Sequence, residues 1–396
     1  MVADQLARAG RFFIPLLMGL GLALGASGCD DRGDIAALRD MQLKPETVPA
    51  SPTNAYAQDG LAAALGKKLF FDKRLSVDST VACSSCHDPA QGFSDPRPFS
   101  IGVRGQIGDR HAMPITAAAF QKFTLWDGRG DSLWIQPLKA IENPKEMDLT
   151  RVELAKLMAS AYKGEYEAVF GDLPSLQGAP VKGKPGMAEW EALPASLKSD
   201  IDRIAANTGK AIEAYERTLL CADTRFDRWA RDEVSFTQQE LNGARAFVNQ
   251  GCNNCHSGPA FSDGAFHNIG LPSSDRGRAL GRPQLLADPF NGAGVHSDNP
   301  SAGEAKLAAV QSETPGEGAF RTASLRGAGQ RSFFGHAAHQ ATLRGFISDV
   351  YRGGRNRRNA TVGTLDPLMR GVNVPDREVD DLVAFLHTLD CPPPAP

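Results

Sequence analysis

The chain lacks an excess of charge of either sign. Its 43 Lys and Arg stand against 46 Asp and Glu, a formal net charge of −3. No global field therefore draws it to nucleic acid, and any partner must be argued from local features. It also lacks an apolar run long enough to cross a bilayer: Phe12 to Leu24 falls short of the roughly 20 residues a spanning helix needs. No stretch sustains the apolar–polar alternation of a strand, which argues against a β fold. What remains is a 42% hydrophobic fraction, enough for real cores, in 396 residues, a length suited to two domains of ordinary size.

The short apolar run has its own meaning. Arg8 and Arg11 precede it and Gly25-Ala26-Ser27-Gly28-Cys29 follows it. A basic region, a short apolar region and small residues make a secretory signal, assigned to residues 1–28. Cys29 directly after small residues resembles a bacterial lipobox, whose Cys takes the lipid and becomes the new N terminus; Ala26 stands where that motif has Leu or Val. The chain is then a periplasmic lipoprotein held on the membrane through Cys29; the alternative is an ordinary signal peptide with Cys29 nearby by chance. Residues 29–57, rich in Pro, Ala, Ser and Asp, read as a tether.

From Leu61 the pattern turns helical, with Leu61, Leu65, Leu69 and Phe70 expected on one face. A clearer helix covers 200–220, with Ile201, Ile204, Ile212, Tyr215 and Leu219 at helical spacing. Residues 172–195 hold several Pro and Gly and look like a loop insertion. A second unit opens at Thr237, a plausible N-cap with Glu240 as its capping-box partner. The last strong helix is 376–390, with Val379, Leu382, Val383, Leu386 and Leu389 inward, ended by Pro392 to Pro394. The region 270–318 is rich in Gly, Ser and Pro and reads as a long irregular loop. These signals predict an all-α chain of two domains, 58–235 and 236–391.

Of seven cysteines, four lie in two CxxCH motifs, Cys83/Cys86/His87 and Cys252/Cys255/His256. Two Cys three positions apart sit about one helical turn apart, within reach of both vinyl groups of one haem, and the following His projects to its iron; this is the c-type attachment pattern. The rival is a zinc site using all four Cys, but its halves would be far apart in sequence and each trailing His would go unexplained. The text around the motifs repeats: His87-Asp-Pro-Ala-Gln-Gly-Phe-Ser-Asp95 echoes His256-Ser-Gly-Pro-Ala-Phe-Ser-Asp263. The expectation is a duplicated cytochrome c module with two covalently bound haems, one per domain. Cys221 and Cys391 are left over; in an oxidising compartment they either pair as a disulfide or stay as two buried thiols.

Further ordered motifs make the pattern specific. Leu69-Phe-Phe-Asp-Lys-Arg-Leu-Ser76 precedes the first CxxCH and Gly92-Phe-Ser-Asp95 follows it. Then come Trp126-Asp-Gly-Arg129, Leu133, Gln136 and Asn143-Pro-Lys-Glu-Met147. From about residue 58 to 390 this set resembles the bacterial dihaem cytochrome c peroxidase family, which includes MauG, the enzyme that matures methylamine dehydrogenase. The resemblance implies that the first haem is the site of reaction with hydrogen peroxide and that the second stores and relays electrons. Trp126 matches the Trp between the two haems, and Gln136 and Glu146 match the family's distal Gln and distal carboxylate.

Several departures qualify it. The classical members carry a distal His in a Ser-Val-Gly-His context; here the matching stretch is Ser100-Ile-Gly-Val103, which implies a first haem open on one face, as in MauG, unless His111 caps it instead. The distal ligand of the second haem is implied to come from the helix after His336 and Thr342-Leu343. Strict counting lands on Val350, with Tyr351 next to it as the ligand; Met369 is the runner-up and His339 the third. The family's calcium uses an Asn where His111 follows Arg110 here, with carbonyls matching Arg331 and Phe333, so the calcium site is not carried over intact. MauG's Trp two residues before the second CxxCH is replaced by Gln250, leaving Trp229 as an alternative aromatic or as core packing. The basic run Arg352 to Arg358 is either simply solvated or docks an acidic electron donor. The implied function is a periplasmic peroxidase fed by a small redox protein. The alternatives are a MauG-like oxidase of a partner protein and a non-catalytic dihaem electron carrier.

Overall fold

A computed structural model describes residues 35–351 and 362–392. The signal segment, Cys29 and the basic run Arg352 to Arg358 lie outside the described residues.

The fold is mostly helical. Twelve α-helices follow in order among the described residues: α1 (Gly60–Phe70), α2 (Ile135–Glu142), α3 (Arg151–Ala161), α4 (Lys163–Phe170), α5 (Ala188–Glu191), α6 (Ala195–Glu216), α7 (Arg225–Ala230), α8 (Gln238–Asn249), α9 (Arg278–Leu286), α10 (Pro300–Gln311), α11 (Leu343–Tyr351) and α12 (Asp376–His387). One antiparallel pair of two-residue strands, β1 (Phe266–His267) and β2 (Phe320–Arg321), is the whole of the sheet there.

Local signals explain the helix starts. The Asp59 carboxylate accepts from the Ala62 amide at the head of α1. Thr150, Thr224 and Thr237 form capping boxes with Glu153, Asp227 and Glu240 on α3, α7 and α8, each satisfying two amides that a helix start leaves unpaired. Two helix crossings then repeat one design. In each, a helix ahead of a CxxCH motif lies against a later helix, and a glycine marks the contact. A Cβ on Gly66 of α1 would stand 1.9 Å from the Ala211 carbonyl of α6, and one on Gly243 of α8 would stand 1.9 Å from the Asp381 carbonyl of α12. Any side chain there would push the helices apart.

Two cores result. The first gathers Leu65, Leu69, Trp134, Ile141, Met158, Ile201 and Ile212. The second gathers Phe226, Trp229, Phe247, Phe261, Leu382, Phe385 and Leu389. Cys221 and Cys391 form a disulfide, with Cα atoms 4.9 Å apart across 170 positions of sequence, and this ties the end of the chain to the segment after α6.

Four expectations need correction. Residues 35–57 do not stand off as a tether: Ile35, Leu38 and Met41 are buried in the second core, and the Leu43 amide donates to Asp227 Oδ1. The first unit does not end at residue 235, because Phe226 and Trp229 already belong to the second core; the composition carries no marker at that point. Leu61 is 60% exposed while Leu65, Leu69 and Phe70 are buried, because only they turn toward α6. The stretch 270–318 is not irregular throughout. It holds α9 and α10, whose Leu285, Leu307 and Val310 make a small core of their own, and its Phe290 packs edge-on against Trp134 of the first core. The Gly and Pro that suggested a loop are accommodated by the helices: Pro300 opens α10, Pro283 lies within α9, and a Cβ on Gly303 would lie 1.9 Å from the Gly292 backbone. Among the described residues no helix is long and apolar enough to cross a membrane.

Candidate functional site

Each CxxCH motif folds as one tight turn. The amides of Cys86 and His87 return to the Cys83 carbonyl at 3.2 and 2.9 Å, and those of Cys255 and His256 to the Cys252 carbonyl at 3.3 and 2.9 Å. The next turn then fixes each imidazole. His87 Nδ1 faces the Phe93 carbonyl at 3.4 Å, and His256 Nδ1 faces the Phe261 carbonyl at 2.9 Å. Phe93 and Phe261 take left-handed backbone angles, φ +56° and +50°, which re-aim those carbonyls. A carbonyl on Nδ1 makes that nitrogen the donor and leaves Nε2 as the ligand atom. Burial pulls both imidazoles below the ordinary histidine range, toward the neutral form that binds iron. All four cysteines are unpaired and half-buried.

These features fit haem and do not fit zinc. Among the described residues one cluster of metal-capable side chains occurs, Cys255, Asp263 and His267, so the four cysteines do not converge. Within it, His267 sits between Asp263 at 2.9 Å and Asp366 at 2.7 Å. Hydrogen bonds to Asp263 and to Cys255 raise its pKa to about 11. An imidazolium has no lone pair to offer a metal.

Around the first attachment site, Glu146 and Val103 are neighbours. The Val103 amide donates to the Glu146 carbonyl at 2.9 Å. Gly102 makes that approach possible, since a Cβ on it would lie 2.0 Å from the Lys145 carbonyl. The Val103 side chain is fully buried in the first core. The Glu146 carboxylate accepts from Asn143 Nδ2 at 2.7 Å, and burial raises its pKa against the opposing charge of Arg129. Its charge reaches both Cys83 and Cys86. Gln136 lies half-buried in the first turn of α2 and makes no hydrogen bond to Glu146. A second acid near Cys83 had no sequence signal: Glu216, buried at the end of α6, is pushed up to about 8 by burial and by the charge of Glu213.

The second attachment site opens on a large cavity. His256, Cys252 and Cys255 line it, and so do both expected distal ligands, Tyr351 at the end of α11 and Met369. Val350 and His339 instead line a small separate pocket with Pro272, and His339 Nε2 is 3.1 Å from the Pro272 carbonyl. Counting to Val350 is therefore one residue short of the side chain that faces the cavity. Gln250 is on the cavity wall, its amide donating to Glu378 at 2.9 Å. Trp229 is core packing: it stacks on Phe236 at 4.5 Å and lies under the Arg39 guanidinium.

Trp126 stands where the two units meet, on the wall of this cavity. Its Nε1 donates to the His111 carbonyl at 2.8 Å, and its own carbonyl accepts from the Arg321 amide of β2 at 2.8 Å. Its ring is edge-on to His336, 6.3 Å between centroids. The adjoining residues lock the junction. Arg110 binds Asp127 at 2.6 Å and Asp275 of the second unit at 2.7 Å, Arg278 donates to the Gly128 carbonyl at 2.8 Å, and a Cβ on Gly128 would strike Phe266 at 2.2 Å. His111 is buried with Nδ1 3.1 Å from the Pro98 carbonyl. Burial, with the charge of Arg331 adding to it, lowers the His111 pKa.

The comparisons with known proteins agree with this geometry. The solved structure of the diheme peroxidase BthA from Burkholderia thailandensis superposes with a TM-score of 0.64 over 88% of this chain and 89% of that one, at 22% identity. A MauG-like protein associated with microbial copper homeostasis superposes with a TM-score of 0.60 at 25% identity over 87% of this chain and 93% of that one. The fold is that of the diheme peroxidases. The family model for di-haem cytochrome c peroxidase matches residues 61–235. The methylamine utilization protein MauG of Methylorubrum extorquens is 30% identical over 91% of this chain and 87% of its own. The cytochrome c551 peroxidase of Nitrosomonas europaea is 31% identical over 61% of this chain and 65% of its own. The chain belongs to the dihaem cytochrome c peroxidase and MauG family, a family of peroxidase-type oxidoreductases that use c-type haem iron.

Proposed function

We propose that the chain is a periplasmic dihaem peroxidase, anchored through Cys29, that reduces hydrogen peroxide at the haem held by His87. A small redox protein would be the donor, and the haem that Cys252, Cys255 and His256 would hold would supply the electron relay. Bound haem iron supplies the redox centre at which peroxide is reduced. The residues of the chain do the rest.

The observation that carries the reading is the Val103–Glu146 pair. The segment that would offer a capping imidazole ends in an aliphatic side chain packed into the core. The segment bonded to it offers a carboxylate whose pKa burial has raised. Reducing one peroxide to two waters takes two electrons and two protons. Glu146 takes the proton from the near oxygen and returns it to the leaving one, a role worth about 10²–10⁴ in rate. Asn143 holds its carboxylate, and Gln136 orients the bound peroxide. Trp126, set between His111 and His336, couples the two haem sites. Tyr351, with Met369 as runner-up, would hold the second haem's iron together with His256, and a haem held by both would supply electron transfer.

Stopped-flow mixing of the fully loaded protein with peroxide tests this. Wild type should show a high-spin ferric band that changes rapidly, and Glu146→Gln should slow that change by about 10²–10⁴. An unchanged rate removes Glu146 from the mechanism. A purely low-spin spectrum indifferent to peroxide turns the chain into an electron carrier. Val103 also favours a second reading, MauG-like oxidation of a partner protein, since an open first site needs no prior half-reduction. Sustained peroxide turnover with a reduced small redox protein supports the peroxidase; turnover only with a protein substrate supports the oxidase.

A further inference from the structure

Five arginines are buried among the described residues: Arg151, Arg217, Arg278, Arg321 and Arg326. Four have a carboxylate partner. Arg151 binds Glu142 and Asp202, Arg278 binds Glu313, Arg326 binds Asp227, and Arg217 has Glu213 at 3.9 Å. Arg321 alone has none. It is 2% exposed, and its donors reach only neutral groups: the Leu125 carbonyl at 3.3 Å, the Thr322 carbonyl at 3.4 Å and Met113 Sδ at 2.9 Å.

A second guanidinium shares this condition. Arg331 Nη2 donates to the carbonyls of Ser324 and Arg326, while its Nε is buried without a partner. It feels the charge of Asp390 but forms no ion pair with it; that carboxylate bonds His387. Arg321 and Arg331 both line the cavity that His256 opens on. His336, 1% exposed and stacked on Phe320, lines it too, and neither of its ring nitrogens has a partner.

A buried charge without a counter-charge costs several kcal/mol, and a buried donor without an acceptor costs about 1–3. Two cations and an orphaned imidazole on one cavity wall therefore ask for anionic ligand groups inside that cavity. Haem carries two propionate carboxylates, which balance two guanidiniums and accept from an imidazole N–H. We infer that Arg321 and Arg331, with His336, bind the propionates of the haem attached at Cys252 and Cys255, and that their positive charge sets that haem's reduction potential. This rests on the haem assignment above and adds the residues that complete its pocket. Burial holds His336 down to about 3 and both arginines down to about 10, shifts that a paired carboxylate opposes.

The test is potentiometric titration of full-length Arg331→Gln and Arg331→Lys with both haems attached, haem content being measured first. A wild type with fewer than two haems per chain would sink the haem assignment itself. With two haems, the wild type gives two redox waves. Arg331→Gln should lower the midpoint of one wave by 59 mV or more, a tenfold or greater rise in the oxidised-to-reduced ratio at a fixed potential for a one-electron couple, and leave the other in place. Arg331→Lys, which keeps the charge, should hold both waves within threefold of wild type. Neither wave moving in Arg331→Gln, both moving together, or Lys behaving as Gln would overturn the inference.

Discussion

The two attachment sites share their scaffolding and differ in what surrounds it. Both have the same turn, the same carbonyl on Nδ1 of the histidine and the same left-handed phenylalanine. Both are framed by two helices crossing at a glycine. Their surroundings then part. The first site has acids near it, Glu146 and Glu216, both with pKa values raised by burial. The second faces a cavity walled by cations and by side chains able to ligate iron. A duplicated unit can thus keep its cofactor-holding parts unchanged while side chains outside them diverge, which under the proposed function divides the labour into proton handling at one site and charge storage and conduction at the other.

Three perturbations sharpen or break this contrast. The largest concerns the second unit's core, where Asp227 alone neutralises the fully buried Arg326, at 2.8 and 2.9 Å. Asp227→Ala should cost about 3–5 kcal/mol, because it strands a buried charge, and melting monitored by circular dichroism should show it. If the two units are separate folding bodies, the first unit's transition should stay in place; movement of both would mean that they unfold as one.

The disulfide comes next. Replacing Cys221 and Cys391 together by Ser should destabilise the protein by about 2–4 kcal/mol, because it frees a long loop of the unfolded chain. A chemical-denaturation midpoint that does not move would show that the bridge adds nothing the packing does not already supply.

The smallest effect is at Gly102. Gly102→Ala must push back the Lys145–Glu146 backbone and should cost about 1–3 kcal/mol. It should also slow the reaction with peroxide while leaving the second haem's spectrum as it was. A normal peroxide rate in a stably folded Gly102→Ala protein would uncouple the placement of Glu146 from this contact.

Much of this was readable along the chain. The capping box at Thr237, the last helix and the helix through Ile201–Tyr215 all appear where local pattern put them, because caps and helical periodicity act over a few residues. The segment 35–57 and the stretch 270–318 were misread for the opposite reason. Ile35, Leu38 and Met41 look unremarkable until Phe226 and Phe385 give them a core to enter, and α9 and α10 are held by Phe123 and by one another. Trp126 could be picked out from its neighbours in sequence, yet Arg321 and Arg331 could not. An arginine signals nothing until one sees that no carboxylate stands beside it.

The sequence by itself determined which residues can hold a cofactor, because covalent attachment and axial ligation need Cys, Cys and His on one short turn, and that spacing is local. It also picked out Val103 and Glu146, the pair on which the proposed chemistry turns. Only the tertiary structure decided which side chain at the end of α11 faces the cavity, where the tryptophan stands between the units, and which buried charges lack a partner. Those depend on groups hundreds of residues apart meeting in a medium too poor in water to screen them.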